Sequence, residues 1–552
     1  MFKEKLEKSL SKEWNVDVKL EVPPNNEMGD FAFPCFQFSK LLKKSPVQIA
    51  KDFINSVPKI NFVDRIEANG PYVNIFIKKE ALAEEVISTI LSEKEKYGNE
   101  KSAGTIVIDM SSPNIAKPFH FGTLRSTLQG NALNLLFEKL GYKTVKVNHL
   151  GDWGTQFGAV LAAFEKWGSQ KDLKQDPIHY LVGLYKKWHE FEERDMHAHE
   201  KAKEWFKKLE DNDQTALNLW KQFRDLSIEE FKKTYRALNI EFDEYQGEAF
   251  YNDKIESTIK ACKDAGITVV DQGALVVKLD KEEVPCMLKK TDGTSTYASR
   301  DLSAILYRIK TYNPKKILYL TGAEQKLHFQ QVFEVAKKLG VKTELIHVDF
   351  GMYLSPSGGK MSTRHGKTVE MSDVMNEIEE LALKTINKKN PELKDKQKTA
   401  HTVAVCAMIF QDLSSDRIKD IVFDEKRMLE FEGDTGPYVQ YTNARANSIL
   451  EKSKAKPKLI ADLLTNDKEL NLIKMLANFP DKITHAAKDC KPHVITQYLL
   501  ETSRAFNEFY HACPVIQDSK QLEESRLALV KAAITVLEEG MKLLGVVPLK
   551  EM

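Results

Sequence analysis

The stretch from Thr105 to Thr127 constrains the fold more than any other part of the chain. Thr105-Ile-Val-Ile-Asp109 reads as a buried strand, and a polar turn, Ser111-Ser-Pro-Asn-Ile-Ala-Lys117, follows it. Pro118-Phe-His120-Phe-Gly122-Thr123 then opens a long helical pattern. Strand, polar turn, His-x-Gly and helix is the layout of a nucleotide site in an α/β protein. A helix N-terminus presents unpaired N–H groups and partial positive charge to phosphate. Gly122 allows close approach of a nucleotide to the backbone. Lys117 and His120 put donors where negative charge would gather.

Strand-like segments recur at Thr144–Asn148, Lys316–Leu320 and Glu344–Asp349, alternating with helical patterns. This predicts a Rossmann-type, doubly wound parallel sheet over residues 101–385, with ligands at the carboxyl ends of its strands. An insertion at about 160–285 interrupts it, first as a charged helical stretch, His179–Arg236. A β-rich piece with Val269-Val270 and Ala274–Leu279 follows. Residues 1–100 read as a small α+β domain, with helices at Phe2–Trp14 and Ala81–Tyr97. Between them, Tyr72–Ile77 sets Val73, Ile75 and Ile77 on one face of a strand. From 386 to 552 the apolar spacing is helical, in Ala404–Leu413, Leu472–Cys490, His493–Cys513 and Arg526–Leu544. An all-helical bundle is expected there.

A chain of 552 residues exceeds a single core, in keeping with three domains. Its 81 Lys+Arg balance 80 Asp+Glu, so any nucleic-acid surface must be a local patch. The six cysteines form no C-x-x-C pair, which predicts neither a zinc site nor a disulfide framework and suits a reducing cytosol. The first eight residues lack the apolar core of a secretory signal, and no apolar run is long enough to span a bilayer. A soluble cytoplasmic protein with no membrane partner is expected.

A second element is Ser357-Gly-Gly-Lys360-Met-Ser-Thr-Arg364-His-Gly366, a glycine-flanked loop carrying cations. Such a loop can close over a triphosphate and meet the charge of departing pyrophosphate, although alone it reads equally as an exposed basic turn. In this order the two elements resemble the H-I-G-H and K-M-S-K-S motifs of class I aminoacyl-tRNA synthetases. The flanking text resembles arginyl-tRNA synthetases along nearly the whole chain. That resemblance is carried by Ser111–Thr127, Asn148–Gly158, Gly247–Asp253, Lys290–Asp301, Gly322–Phe329 and Gly433–Arg445.

The resemblance implies an arginine–tRNA ligase using L-arginine, ATP with Mg2+ and tRNA(Arg), with no protein-bound metal. Arginyl-adenylate would form first, usually only with tRNA bound, and the arginyl group would pass to the 2′-hydroxyl of the terminal adenosine. Lys117, His120 and Lys360 are the expected catalytic cations and donors, with Gly122, Thr123, Met361 and Ser362 also at ATP. Guanidinium needs a planar, charged, bidentate acceptor. Asp301 fits, with Tyr297 one helical turn before it. Taken alone, Asp301 reads more readily as an N-cap or a partner of Arg300 or Arg308 than as a pocket residue. The resemblance adds Gln325 and Ser111 to the pocket, and Asp109 and Asn114 as holders of the α-amino group and carboxylate. Trp153 is expected to wall the adenosine or arginine pocket or to pack in the core. His149 would meet ribose or hold its loop.

In Tyr438, Tyr441, Asn443 and Arg445, aromatic and polar residues interleave, which suits unstacked RNA bases and equally the anchoring of bundle helices. The resemblance makes this bundle the anticodon-binding domain, gives the N-terminal domain a tRNA contact and implies a monomer. Two positions depart from the motifs: Thr123 stands for the second His, and Thr363-Arg364 follows Ser362 without the second lysine. In the resembling family a basic residue in the position of Lys117 is thought to supply that charge. Thr123 also leaves one alternative, a non-catalytic synthetase-like protein that binds tRNA or arginine.

Overall fold

The structure, a computed structural model, describes residues 2–552 except 24–27, 58, 281, 356–357, 360, 362, 365–366, 369 and 431. It contains two compact units, each built from segments distant in sequence.

The first unit comprises Met1–Tyr97, Ala446–Asn478 and Arg504–Val536. Helix α1 (Phe2–Trp14) buries Phe2, Leu6, Leu10 and Trp14, an i, i+4 stripe. Strand β1 (Phe31–Pro34), helix α2 (Pro46–Asn55), and strands β2 (Val63–Asn69) and β3 (Tyr72–Ile77) follow. The strands form an antiparallel sheet in the order β1-β3-β2. Val73, Ile75 and Ile77 are buried, as their alternation predicts, and Asn74 is buried too because β3 is the central strand. Ser45 caps α2 by accepting from the Gln48 N–H, and Trp14 stacks on Phe53 of that helix at 4.4 Å. Helix α3 (Lys79–Glu93) packs on the helix Asp467–Ala477, where the Tyr97 hydroxyl donates to the Leu476 carbonyl.

The second unit comprises Gly98–Arg445, Phe479–Ser503 and Leu537–Met552. Its centre is a five-stranded parallel sheet of β4 (Thr105–Asp109), β5 (Lys143–Asn148), β6 (Glu244–Tyr245), β10 (Lys316–Tyr319) and β11 (Glu344–His347). The order is β11-β10-β4-β5-β6. The chain thus builds outward from β4 to one side and later returns to β4's other edge, which makes β4/β10 the switch point of a doubly wound sheet. The four expected strands are present; β6, only two residues long, is an edge strand whose pattern is too short to read.

Helix α4 (Phe121–Lys139) leaves β4 and is buried nearly all round. Helices α5 (Thr155–Trp167), α6 (Pro177–Glu192), α7 (Met196–Glu210) and α8 (Gln214–Ala237) fill the path from β5 to β6. The antiparallel sheet β7 (Thr268–Asp271), β8 (Ala274–Val277) and β9 (Cys286–Lys289) comes next, then α9 (Tyr297–Tyr312) before β10 and α10 (Lys326–Lys338) after it. Val277, Leu288, Leu302, Ile305, Val332 and Val335 pack with Val107, Val147 and Ile317 into one core, so the β-rich piece and these helices cover the same sheet face.

Beyond β11 lie β12 (Tyr353–Leu354), α11 (Met371–Lys389), α12 (Lys396–Leu413), β13 (Ile421–Val422), parallel to β12, and α13 (Gly436–Lys452). A buried polar network ties this region to α4. Asp412 accepts from Gln129 at 2.7 Å and from the Tyr353 hydroxyl, and lies 3.7 Å from the Arg125 Nε. The guanidinium also donates to the carbonyls of Met352, Arg417 and Lys419. The chain's last residues return to α13, where Gln440 exchanges bonds with Val547 and Leu549. Among the described residues no helix is long and apolar enough to cross a membrane, and no group of three or more His, Cys, Asp or Glu is placed to hold a metal ion.

Candidate active site

Asp109 and Tyr319 end β4 and β10 side by side in register, and the crevice between their outgoing connections opens above them. The turn after β4 departs from ordinary backbone: Ser111, Ser112 and Ala116 have φ of 74°, 54° and 57°. Such strain persists only where surroundings fix it. Here the Ser111 N–H donates to Ser126 Oγ, the Ala116 N–H to Ser227 Oγ, and Pro113 and Ile115 exchange backbone bonds with Gly151. A side chain at Gly151 would run into the Asn114 carboxamide, so the glycine is what lets the two loops meet.

The first cavity, about 430 Å³, lies directly over these strand ends. Helix α9 contributes one face, with Tyr297 at its first turn and Asp301 one turn on, and Arg308 is buried behind it two turns further. A capping box formed by Thr296 and Ser299 fixes that helix start. Arg308 is wholly buried, pairs with Asp109 Oδ2 at 2.7 Å, and lies 3.3 Å from His149 Nδ1. Ser112 Oγ donates to the other Asp109 oxygen at 3.2 Å. Asp301 meets His328 Nε2 at 2.6 Å. Burial would raise the Asp301 pKa, but the His328 hydrogen bond and the nearby His149 and Arg308 outweigh it, and the carboxyl stays below its ordinary range.

Glu248, from the loop after β6, behaves in the opposite way. Burial pushes its pKa up to about 8, because Arg300 at 3.7 Å only partly offsets the lost hydration. Its Oε2 is buried without a hydrogen-bond partner among the described residues. Besides Asp109, paired with Arg308, the cavity therefore holds Asp301, kept ionised, and Glu248, an acid that a bound cation would ionise.

A second cavity, about 550 Å³, opens at the N-terminus of α4. Lys117, His120 and Gly122 line it, facing Tyr185 and Lys186 of α6, with Glu324, Met352, Tyr353 and Met361 around them. His120 is the N-cap, its Nδ1 accepting from the Thr123 N–H at 3.3 Å. The packed surroundings and the Lys117 charge lower its pKa, which favours the neutral ring. A third cavity, about 810 Å³, shares Tyr297 and Arg300 with the first and Tyr185 with the second. Trp153, Lys203 and Lys207 are among its walls.

Of the residues singled out by sequence, Asp109, Asn114, Tyr297, Asp301 and Gln325 meet in the first cavity, and Lys117, His120, Gly122 and Met361 in the second. Ser111 lines neither: it is buried, with its hydroxyl 2.7 Å from the Tyr235 hydroxyl, while Ser112 faces the pocket. Thr123 is buried, its hydroxyl 3.4 Å from His120 Nε2, and does not line the second cavity. Lys360 and Ser362 lie outside the described residues. Trp153 walls the third cavity, edge-on to Trp220, and His149 lines the first, stacked on Tyr251.

On α13, Tyr441 is exposed and the Arg445 guanidinium lies 4.9 Å over its ring. Tyr438 is half-buried, and Asn443 is fully buried, its amide donating to the Leu549 carbonyl. Sequence reasoning missed Glu248 and His328 as pocket residues. Both stand in quoted segments, Gly247–Asp253 and Gly322–Phe329, yet no spacing rule links either to Asp301.

Residues 86–425, the span holding both cavities, match the family described as tRNA synthetases class I (R), catalytic domain. The fold and crevice are thus those of a class I aminoacyl-tRNA synthetase. Residues 439–552 match the DALR anticodon binding domain, and residues 1–77 the arginyl tRNA synthetase N terminal domain. An arginine–tRNA ligase of Halothermothrix orenii is 43% identical, covering 99% of this chain and 98% of its own. Arginine–tRNA ligase 1 of Bacillus cereus is 45% identical over 97% of this chain and 95% of its own. The crystal structure of arginyl-tRNA synthetase from Plasmodium falciparum superposes with a TM-score of 0.84 at 26% identity, covering 100% of this chain and 99% of that one. The Thermus thermophilus arginyl-tRNA synthetase shares the fold, with a TM-score of 0.86 at 23% identity and full coverage of both chains. The chain belongs to the arginyl-tRNA synthetase family.

Proposed function

We propose that this chain is an arginine–tRNA ligase that activates L-arginine with Mg-ATP and transfers it to the 2′-hydroxyl of the terminal adenosine of tRNA(Arg). One observation carries the reading: an acidic cavity and a cavity at a helix N-terminus adjoin the same switch-point loop, 109–122. Two reactants held there need no protein nucleophile, because positioning alone removes much of the barrier.

In the first cavity Asp301 takes the guanidinium, with Tyr297, Gln325 and Glu248 as further partners. Asn114 holds the α-amino and carboxylate end. Asp109, already engaged by Arg308 and Ser112, acts through its charge and by holding the pocket wall. In the second, the α4 N-terminus, Lys117 and His120 hold the phosphates. With Nδ1 accepting from the Thr123 N–H, the neutral ring carries its proton on Nε2, 3.4 Å from the Thr123 hydroxyl, and a phosphate oxygen takes that hydroxyl's place as acceptor when the nucleotide binds. Lys360, Met361 and Ser362 are assigned to the nucleotide by the family motif.

The arginine carboxylate attacks the α-phosphorus in line. The new O–P bond forms as the bond to the β-phosphate oxygen breaks, and pyrophosphate leaves with the electron pair. The 2′-hydroxyl oxygen then attacks the adenylate carbonyl carbon; the ester C–O bond forms as the bond from that carbon to the phosphate oxygen breaks, AMP departs with the electron pair, and the hydroxyl proton is released to solvent. The third cavity, with aromatic walls and lysines, suits the unpaired RNA end. Exposed Tyr441, with half-buried Arg445 over its ring, is the pair on α13 assigned to meet RNA bases.

Residues 1–100 as a tRNA-contacting domain, 101–385 as the catalytic domain and 386–552 as the anticodon-binding domain complete the assignment, in a cytoplasmic monomer. The test is charging of total tRNA with each amino acid in turn: ATP-dependent esterification of arginine alone supports the ligase. Arginine or tRNA binding without esterification would instead mark a non-catalytic relative.

A further inference from the structure

We propose that Lys186, on helix α6 between β5 and β6, is a phosphate-binding residue of the activation step. This rests on the assignment of the second cavity to ATP. One turn of α6 lines that cavity, with Val182, Tyr185 and Lys186 facing the space beside Lys117 and His120. Neither nucleotide motif includes this helix.

Two adjacent lysines on α6 have different surroundings. Lys187 lies over the Trp167 ring at 4.4 Å, away from the cavity. Lys186 has no ion pair, hydrogen bond or ring contact among the described residues, and its chain is exposed at the cavity. The charge around it is unbalanced. Among the described lining residues Lys117, Lys186 and Arg125 are cationic and Glu324 is the only acid. Arg125 is answered from below by buried Asp412. What remains is two ammonium groups against one carboxylate, next to the positive end of α4. A polyanion is the ligand such a cavity attracts.

The helix itself is held fast. Ile178, Leu181, Leu184 and Trp188 are buried on its inner face. On the other face His179 joins Asp176 at 2.8 Å and Glu370, the N-cap of α11, at 2.7 Å. Lys186 therefore moves only by its own side-chain torsions, and its ammonium can follow the phosphates. During activation the breaking P–O bond leaves its electron pair on pyrophosphate. Lys186 stabilises that added charge as an intact ammonium and gives up no proton. A cation from α6 also meets the charge demand left where the second motif lacks its last lysine.

The test is Lys186→Ala and Lys186→Arg, with Lys187→Ala as control, in tRNA-dependent ATP–pyrophosphate exchange and in calorimetric titration with Mg-ATP. For Lys186→Ala the expected result is a 10- to 100-fold loss of kcat/KM for ATP, weaker ATP binding and an unchanged KM for arginine. Lys186→Arg should recover most of the loss, and Lys187→Ala should match the parent. ATP kinetics and affinity within twofold of the parent in Lys186→Ala overturn the proposal. So does a loss that appears equally in the arginine KM or that arginine fails to rescue. If the parent binds ATP yet charges no tRNA, the ligase reading fails, and the titration alone still decides Lys186.

Discussion

Arginine affinity should rise steeply with pH, and Glu248 should be the cause. With the pocket empty its pKa lies near 8 because burial disfavours the carboxylate. An arginine cation beside Oε2 needs that carboxylate, so binding expels the proton. The sign follows: lowering the pH puts a proton in competition with the substrate, and raising it removes the competitor. For a bound state that requires the ionised form, the apparent Kd scales as one plus the ratio of proton concentration to acid constant. Between pH 6.5 and 8 that factor falls about sixteenfold, and at pH 7 about 0.9 proton should leave per arginine bound. Calorimetric titration of arginine in two buffers of different ionisation enthalpy reads both numbers. Glu248→Gln should flatten the pH dependence and abolish the buffer-dependent heat. A flat affinity in the parent protein, or a Glu248→Gln variant that keeps the parent's slope, refutes the reasoning.

Asp301→Asn removes the ionised partner of both His328 and the substrate, a loss of about 3 kcal/mol, so the KM for arginine should rise about 100-fold while that for ATP stays put. His120→Asn keeps an N-cap acceptor for the Thr123 N–H but removes the imidazole; thermal unfolding should shift by less than about 1 kcal/mol while pyrophosphate exchange slows at least tenfold. Asp412→Ala leaves the buried Arg125 charge unneutralised and should lower stability by about 3–5 kcal/mol in urea titration. Arg445→Glu, at an α13 surface, should raise the KM for tRNA while leaving both small-molecule KM values within twofold.

Much of the candidate site was legible where its residues sit under strong local rules. His120 and Gly122 start a helix, and Tyr297 and Asp301 share a helical face, so spacing aligns them; Asp109 ends a buried strand, but its place in the pocket is implied by the family resemblance alone. Residues defined by tertiary contact were not legible. Glu248 reaches the pocket only because β6, a two-residue edge strand, brings its loop beside β5. His328 meets Asp301 across two helices, and α6 lines the second cavity from a segment read simply as charged and helical.

Motif reasoning also assigned outward roles to side chains that packing turns inward. Ser111 is bonded to Tyr235 behind the strained turn, and Thr123 sits under His120. Asn443 is buried against the returning C-terminal backbone, whose position no local pattern encodes. Trp153, expected to wall the adenosine or arginine pocket or to pack in the core, walls the third cavity.

The most direct measurement is a crystal structure with a non-hydrolysable arginyl-adenylate analogue bound. The account predicts the guanidinium within hydrogen-bond distance of Asp301 and the adenylate phosphate at the α4 N-terminus beside His120. A guanidinium pointing away from Asp301, or a phosphate bound elsewhere than that helix end, would contradict it.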